Sequence, residues 1–107
     1  MSFQTQTFRG SANLSPATDP LVTNLISPAS PSTEFSHTFR DGTKMFIIRN
    51  RGTKAIQYAY ASGESGTNYV TIPGNASLSN KDLFLAGVTI YMQVNAASNT
   101  IEIEEWI

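Results

Sequence analysis

The chain has 107 residues, a formal net charge of −1 and no cysteine. This length allows one domain, the balanced charge gives no global attraction to nucleic acid or anionic lipid, and the lack of cysteine excludes disulfides and thiolate sites. Charged residues make up only 14% of the chain, against a usual level of about 25%, which suits a β-rich surface or one covered by partners.

The N-terminal residues predict neither export nor a membrane anchor. They contain no basic segment followed by an apolar one, so no secretory signal is expected. Nowhere does an apolar run approach the length of about 18 residues that a membrane span requires. We therefore expect a protein that is not secreted and has no membrane partner.

The first third of the chain differs in composition from the rest. Residues 2–9 (SFQTQTFR) are polar and β-prone, which favours an edge strand or an arm that adds to a neighbour's sheet. Residues 10–33 hold four of the five prolines and a single charge, Asp19. Because proline removes a ladder donor and biases the preceding residue to extended geometry, we expect an extended N-terminal arm over residues 1–33.

This arm carries apolar residues that a solvated linker would not need. An irregular segment of this length in a compact protein is often functional. We expect the apolar side chains to dock on this domain or on another chain, and we predict subunit contacts by Leu14, Leu21, Val22, Leu25 and Ile26.

From residue 34 onwards, short strands follow one another. Residues 34–40 and 44–50 flank the Asp41-Gly42 turn and predict a hairpin. Residues 50–53 (NRGT) supply a second tight turn, so that residues 44–61 predict a second hairpin. The alternation in its second strand places Ile56, Tyr58 and Tyr60 on one face, which we assign to the core.

The rest of the chain also predicts short strands separated by turns. Residues 69–72 predict a strand that ends at the Pro73-Gly74 turn. Residues 76–86 fit either a helical turn at 81–85 capped by Asn80 or a short strand at 83–85. Strands are predicted at 88–94 and at 101–104. The final strand has an apolar face, with Ile101 and Ile103, and an acidic face, with Glu102 and Glu104.

The count is about seven or eight short strands, with turns every 8–12 residues. It predicts an all-β fold, an antiparallel sandwich or barrel over residues 34–107. No helix of ordinary length is expected.

The residues do not assemble a recognisable reaction site. His37 is the only histidine and falls between Phe35 and Phe39 on an inward face, which favours a structural role over a metal ligand. Glu102 and Glu104 lie about 7 Å apart on one strand face, as solvated carboxylates do, whereas a glycosidase pair faces across a cleft. We expect no enzymatic activity, no cofactor and no metal site.

Charge is unevenly distributed along the chain. Residues 35–60 carry five basic residues and one acid, whereas residues 61–107 carry five acids and one base. The favoured interpretation is that neighbouring strands neutralise each other within one sheet; the alternative is complementary faces that meet another subunit. Under this alternative, Arg49 and Arg51 are predicted to contact another subunit. The same is predicted for Trp106, which lies close to the C-terminus. Nucleic-acid binding is not expected.

From Lys44 to the C-terminus the order of features resembles a known group of proteins. An apolar strand is followed by N-x-G-T, an aromatic alternating strand, a Ser/Gly loop, Y-V-x-I-P-G, V-T-I-Y-M-Q-V and I-E-I-E-x-W. In this order the chain resembles the small jelly-roll capsid cement or decoration proteins of tailed bacteriophages.

The resemblance implies a jelly roll with an extended arm, made in the host cytoplasm and located in the virion, on the capsid surface. There it implies a dimer or trimer that stabilises the lattice by contacts with the major capsid protein. The alternative is a carbohydrate-binding or receptor-binding β-sandwich module of a phage tail fibre. Stacking platforms for that role are sought among Tyr58, Tyr60, Tyr69, Tyr91 and Trp106.

Overall fold

A computed structural model describes residues 16–107, and the regular structure in this range is entirely β. The eight strands are β1 (Pro20–Ile26), β2 (Phe35–Thr38), β3 (Met45–Asn50), β4 (Ile56–Ala59), β5 (Val70–Ile72), β6 (Ser77–Asn80), β7 (Thr89–Val94) and β8 (Thr100–Trp106).

The strands form two four-stranded sheets. The first sheet has the order β1-β8-β3-β6 and the second has the order β2-β7-β4-β5. All neighbouring strands in both sheets run antiparallel. The expected all-β antiparallel sandwich of seven or eight strands is confirmed.

The sheet begins earlier in the chain than the predicted boundary at residue 34. β1 pairs with β8 over its whole length, from Pro20 opposite Trp106 to Ile26 opposite Thr100. The prolines do not prevent this, because Pro20 begins the strand and Pro28 follows its end, positions where a missing amide is tolerated at a sheet edge. Residues 20–26 of the predicted arm thus form an edge strand. Residues 1–15, with the predicted strand at 2–9, lie outside the described residues.

Neither predicted hairpin forms, because the chain changes sheets at both turns. β2 and β4 belong to the second sheet, whereas β3 lies between β8 and β6 in the first sheet. Each of these strands has one apolar face, and the crossing brings Phe46 and Ile48 of β3 into the same core as Ile56 and Tyr58 of β4. Turn residues indicate where the chain reverses, but a reversal between sheets and one within a sheet use the same residues.

A buried asparagine holds the turn between β3 and β4. Asn50 Nδ2 lies within hydrogen-bond distance of the carbonyl oxygens of Lys54, Ile72 and Pro73, at 2.7, 3.3 and 3.1 Å. Its Oδ1 accepts a hydrogen bond from the amide of Gly52 at 3.0 Å. A Cβ at Gly52 would lie 1.4 Å from Oδ1 of Asn99, so a larger residue would have to displace this side chain, which donates to Oδ1 of Asn50.

The core lies between the two sheets. The rings of Phe39 and Phe46 stack with centroids 4.5 Å apart, and strand residues from both sheets surround them. Burying each such side chain stabilises the fold by about 1.5–3 kcal/mol. The buried residues are Phe39, Phe46, Ile48, Ile56, Tyr58, Ile72, Ile90, Met92, Val94, Ile101 and Ile103.

Residues 76–86 adopt neither predicted arrangement. Ser77–Asn80 form β6, which pairs with β3, and Leu85 makes a single bridge to Thr43. Between residues 81 and 85 there is no helical turn. β6 carries one apolar residue, Leu78, so its sequence shows no alternating pattern, and pairing with β3 determines its structure.

Candidate functional site

The outer face of the first sheet pairs the basic and acidic segments of the chain. Arg49 Nη1 lies 3.0 Å from Glu104 Oε1, and Arg51 Nη1 lies 3.0 Å from Glu102 Oε2. Because β3 and β8 are neighbours in this sheet, these opposite charges neutralise each other within one subunit, as the favoured interpretation predicted. Each partly exposed pair contributes about 0–1 kcal/mol.

Trp106 lies on the same outer face. Its indole Nε1 donates a hydrogen bond to Oε2 of Glu104 at 2.9 Å. This bond and the one from Arg49 hold the pKa of Glu104 below its usual range, against the opposing effect of burial. In the strand register Pro20 and Met45 lie on either side of Trp106, so this end of the outer face is apolar.

β1 forms a long, uncharged edge of the first sheet. It has seven residues, PLVTNLI, and within residues 16–107 it pairs with β8 on one side only. The side chains of Val22 and Ile26 are 58% and 68% exposed. Native edge strands usually carry charges, bulges or internal prolines that prevent pairing with another chain. Charges and bulges are absent from β1, and its only proline is its first residue.

The hydrogen-bond alternation shows which amides of β1 face the free edge. Asp19 exchanges both backbone hydrogen bonds with Ile107, and the amide of Ser27 donates to the carbonyl of Asn99. In an antiparallel ladder every second residue makes such bonds, so residues 21, 23 and 25 bond to β8. The amides of Val22, Asn24 and Ile26 therefore point to the free edge.

The predicted contact residues are divided among three environments. Leu14 lies outside the described residues. Leu25 packs against the core, and Leu21, on the same face of β1, is partly exposed. The others belong to the exposed edge or the outer face, namely Val22, Ile26, Arg49, Arg51 and Trp106.

A buried carboxylate lies at the centre of a polar cluster between the sheets. Glu105 is fully buried, and its Oε2 lies 2.6 Å from Nε2 of His37. Its Oε1 accepts a hydrogen bond from the amide of Arg40 at 2.9 Å and lies 3.3 Å from the hydroxyl of Thr43, which donates to the carbonyl of Arg40 at 2.7 Å. These contacts join β8 to β2 and to the segment that connects β2 with β3, which gives the cluster a structural role.

Arg40 extends this cluster to the start of β1. Its Nη2 donates to the backbone carbonyls of Asp19 and Glu105, at 2.9 and 3.2 Å. The burial of Glu105 was not predicted from the sequence. The signal was available, because Glu105 has the same strand parity as Ile101 and Ile103.

A pocket of about 430 Å³ lies at the second sheet, where β4 ends and β5 begins. Tyr60 and Tyr69 line it and are 52% and 42% exposed. The assignment of Tyr60 to the core is therefore wrong, because β4 ends at Ala59 and the chain leaves the sheet there. Its ring packs edge-on against buried Tyr58, with centroids 5.9 Å apart. The full lining comprises Tyr58, Ala59, Tyr60, Ala61, Glu64, Asn68, Tyr69 and Val70.

The loop that carries Glu64 and Asn68 is fixed by Glu34. One carboxylate oxygen of Glu34 accepts hydrogen bonds from the hydroxyl and the amide of Ser65, at 2.5 and 3.3 Å, and the other accepts from the amide of Gly63 at 2.9 Å. The hydroxyl bond from Ser65, followed by the amide bond from Gly63, lowers the pKa of Glu34. The pocket wall is thus held in place by buried Ser65.

Among residues 16–107, no three metal-ligating side chains cluster together. The same range contains no helix that could span a membrane.

No family model matches the sequence, and no curated protein is significantly similar to it. A de novo designed double-stranded β-helix, determined by solution NMR, is similar with a TM-score of 0.45 and 17% identity, over 83% of this chain and 97% of that chain. Bacillus endospore appendages, which form a family of disulfide-linked pili, are similar with a TM-score of 0.45 and 14% identity, over 83% and 86%. Both similarities are too distant to indicate a family or an activity.

Proposed function

We propose that this protein is a non-enzymatic structural subunit that associates with copies of itself and with a larger lattice. The observation that carries the proposal is the edge of β1 that no other strand of residues 16–107 covers. Its outward amides and exposed Val22 and Ile26 form a surface that can accept another strand. Main-chain hydrogen bonds provide the affinity in such strand addition, and side-chain pockets provide the specificity.

The N-terminal residues supply a candidate for the added strand. Residues 2–9 alternate in sequence as a strand does, and the six residues 10–15 can span about 20 Å when extended, at about 3.3 Å per residue. In this proposal they pair with the β1 edge of a neighbouring copy. The apolar end of the outer face, around Trp106, lies beside that edge and completes the contact.

We further propose that the lattice is a phage capsid. The strand order β1-β8-β3-β6 opposite β2-β7-β4-β5 supports a jelly-roll connection, the fold that the resemblance to capsid cement proteins implies. In this role the protein sits on the capsid surface of the virion as a dimer or trimer and contacts the major capsid protein.

Electron microscopy of purified phage particles that contain the chain tests whether it lies on the capsid. A gold-labelled antibody raised against the chain is expected to decorate the capsid shell. Label confined to tails, or absent from particles that contain the chain by mass spectrometry, would contradict the capsid assignment. Self-association is tested separately, with the purified chain.

A further inference from the structure

The pocket between β4 and β5 brings exposed aromatic rings together with polar side chains. Tyr60 follows the end of β4 and Tyr69 precedes β5, so two different chain segments place their rings at one opening. Its volume, about 430 Å³, falls within the range of about 300–1,000 Å³ that is typical of small-ligand sites.

We propose that this pocket binds a neutral carbohydrate, a function beyond the structural role proposed above. The face of a pyranose ring presents C–H groups, which pack on aromatic rings, and its edge presents hydroxyls, which need both donors and acceptors. Tyr60 and Tyr69 supply the apolar surface. Asn68 supplies amide donors and an acceptor, and Glu64 supplies carboxylate acceptors.

The charge of the lining favours a neutral sugar over an anionic one. Among the described residues, Glu64 is the only charged one that lines the pocket, so an anionic sugar would meet a like charge there. A quaternary ammonium ion would be attracted by the rings and the carboxylate, but it could not use the donors of Asn68. A neutral carbohydrate can pack on both tyrosine rings and hydrogen-bond to both Asn68 and Glu64.

The pocket is also organised before any ligand arrives. Edge-on packing against Tyr58 fixes the ring of Tyr60. The amides of Thr67 and Asn68 donate to the carbonyl of Glu64, at 3.1 and 2.9 Å, and Glu34 anchors the same loop through Ser65. Since little conformational freedom remains to be lost on binding, the affinity cost of ordering the site is small.

Titration of the ¹⁵N-labelled full chain with maltotetraose, cellotetraose and triacetylchitotriose tests the proposal. At millimolar concentration at least one of these is expected to shift the backbone amide resonances of residues 60–70. Y60A and Y69A are each expected to weaken that binding about tenfold or more, the loss that follows from removing one stacking contact. E64Q, which keeps the shape and an acceptor, is expected to weaken it less.

Phe84 provides the matched control, because it is an aromatic side chain, 60% exposed, outside the pocket lining. F84A is expected to bind as the parent chain does. The proposal is overturned if none of the three sugars shifts these resonances, if the shifts map elsewhere, or if Y60A and Y69A bind normally while retaining the parent's amide spectrum. Stronger binding of tetramethylammonium or of a proline-rich peptide than of every sugar would also overturn it.

Discussion

Nε2 of His37 lies 2.6 Å from Oε2 of Glu105, and this contact joins the two sheets of the sandwich. The carboxylate is fully buried, and the histidine side chain is 10% exposed. A buried ionisable pair is retained only where hydrogen bonds replace the lost water. Here the amide of Arg40 provides an additional bond to the carboxylate at 2.9 Å.

Glu105→Ala is expected to lower the free energy of unfolding by about 3–5 kcal/mol, because it removes the buried acceptor of His37 Nε2 and of the Arg40 amide. Urea denaturation followed by circular dichroism measures the loss.

The control is Glu102→Ala, since Glu102 lies on the same strand but forms a partly exposed pair with Arg51. A loss below about 1 kcal/mol is expected for this variant. If the two substitutions cost the same, the buried cluster does not hold the sheets together.

Strand positions were largely predictable from the sequence, whereas strand partners were not. Alternation identified β4, β7 and β8, because each buries one face, and the apolar run of residues 45–48 identified β3. The partners depend on which sheet a strand enters, and the turns at Asp41-Gly42 and at residues 50–53 allow either choice. Both hairpins were wrong for that reason.

Trp106 reports on the protonation of Glu104. It is the only tryptophan, and its indole donates to a carboxylate whose pKa is lowered by that bond and by Arg49. Acid titration of the fluorescence is therefore expected to show a transition with a midpoint below about 4.3, the ordinary glutamate value. E104Q is expected to abolish the transition and E102Q to preserve it. A transition that survives in E104Q would exclude the assignment.

Glu34 makes part of the stability dependent on pH. Hydrogen bonds from Ser65 and Gly63 lower its pKa in the folded chain. Its contribution to the free energy of unfolding is therefore fully present above the pKa of the unfolded chain, about 4.3. This contribution is lost as the pH falls through the lower pKa of the folded chain. The difference in free energy of unfolding between the parent chain and E34Q is expected to shrink as the pH falls from the unfolded pKa through the folded pKa of Glu34.

Urea denaturation at a series of pH values, from neutral to below the folded pKa of Glu34, measures this difference. S65A, which removes the strongest of the hydrogen bonds to Glu34, is expected to reduce the pH dependence. A difference between the parent and E34Q that stays constant with pH would contradict the role of this carboxylate.

Truncation separates the strand that completes the sheet from the segment proposed to reach a neighbour. Deleting residues 2–15 is expected to leave the fold intact and to prevent association. Extending the deletion to residue 26 removes β1, including Leu25, which packs against the core, and is expected to destabilise the domain as well. Thermal denaturation and light scattering of both variants measure the two effects. Normal association of the shorter deletion would show that residues 2–15 are not the added strand.

The candidate sites were less predictable than the strands. β1 was hidden within a proline-rich stretch, because prolines at strand ends resemble prolines that prevent strands. Tyr60 continues the alternation of Ile56 and Tyr58, but β4 ends before it, and the end of a strand is set by its partners. The ion pairs of Arg49 and Arg51 followed from charge distribution, because opposite charges on one sheet face attract.

Sedimentation velocity of the full chain and of Asn24→Pro tests the central claim most directly. The amide of Asn24 points to the free edge, so proline removes a donor for an added strand and leaves the bonds to β8. The parent and Asn24→Ala are expected to sediment as oligomers, and Asn24→Pro as a folded monomer with an unchanged circular dichroism spectrum. A monomeric parent, or oligomers of Asn24→Pro equal to those of the parent, would contradict assembly through the β1 edge.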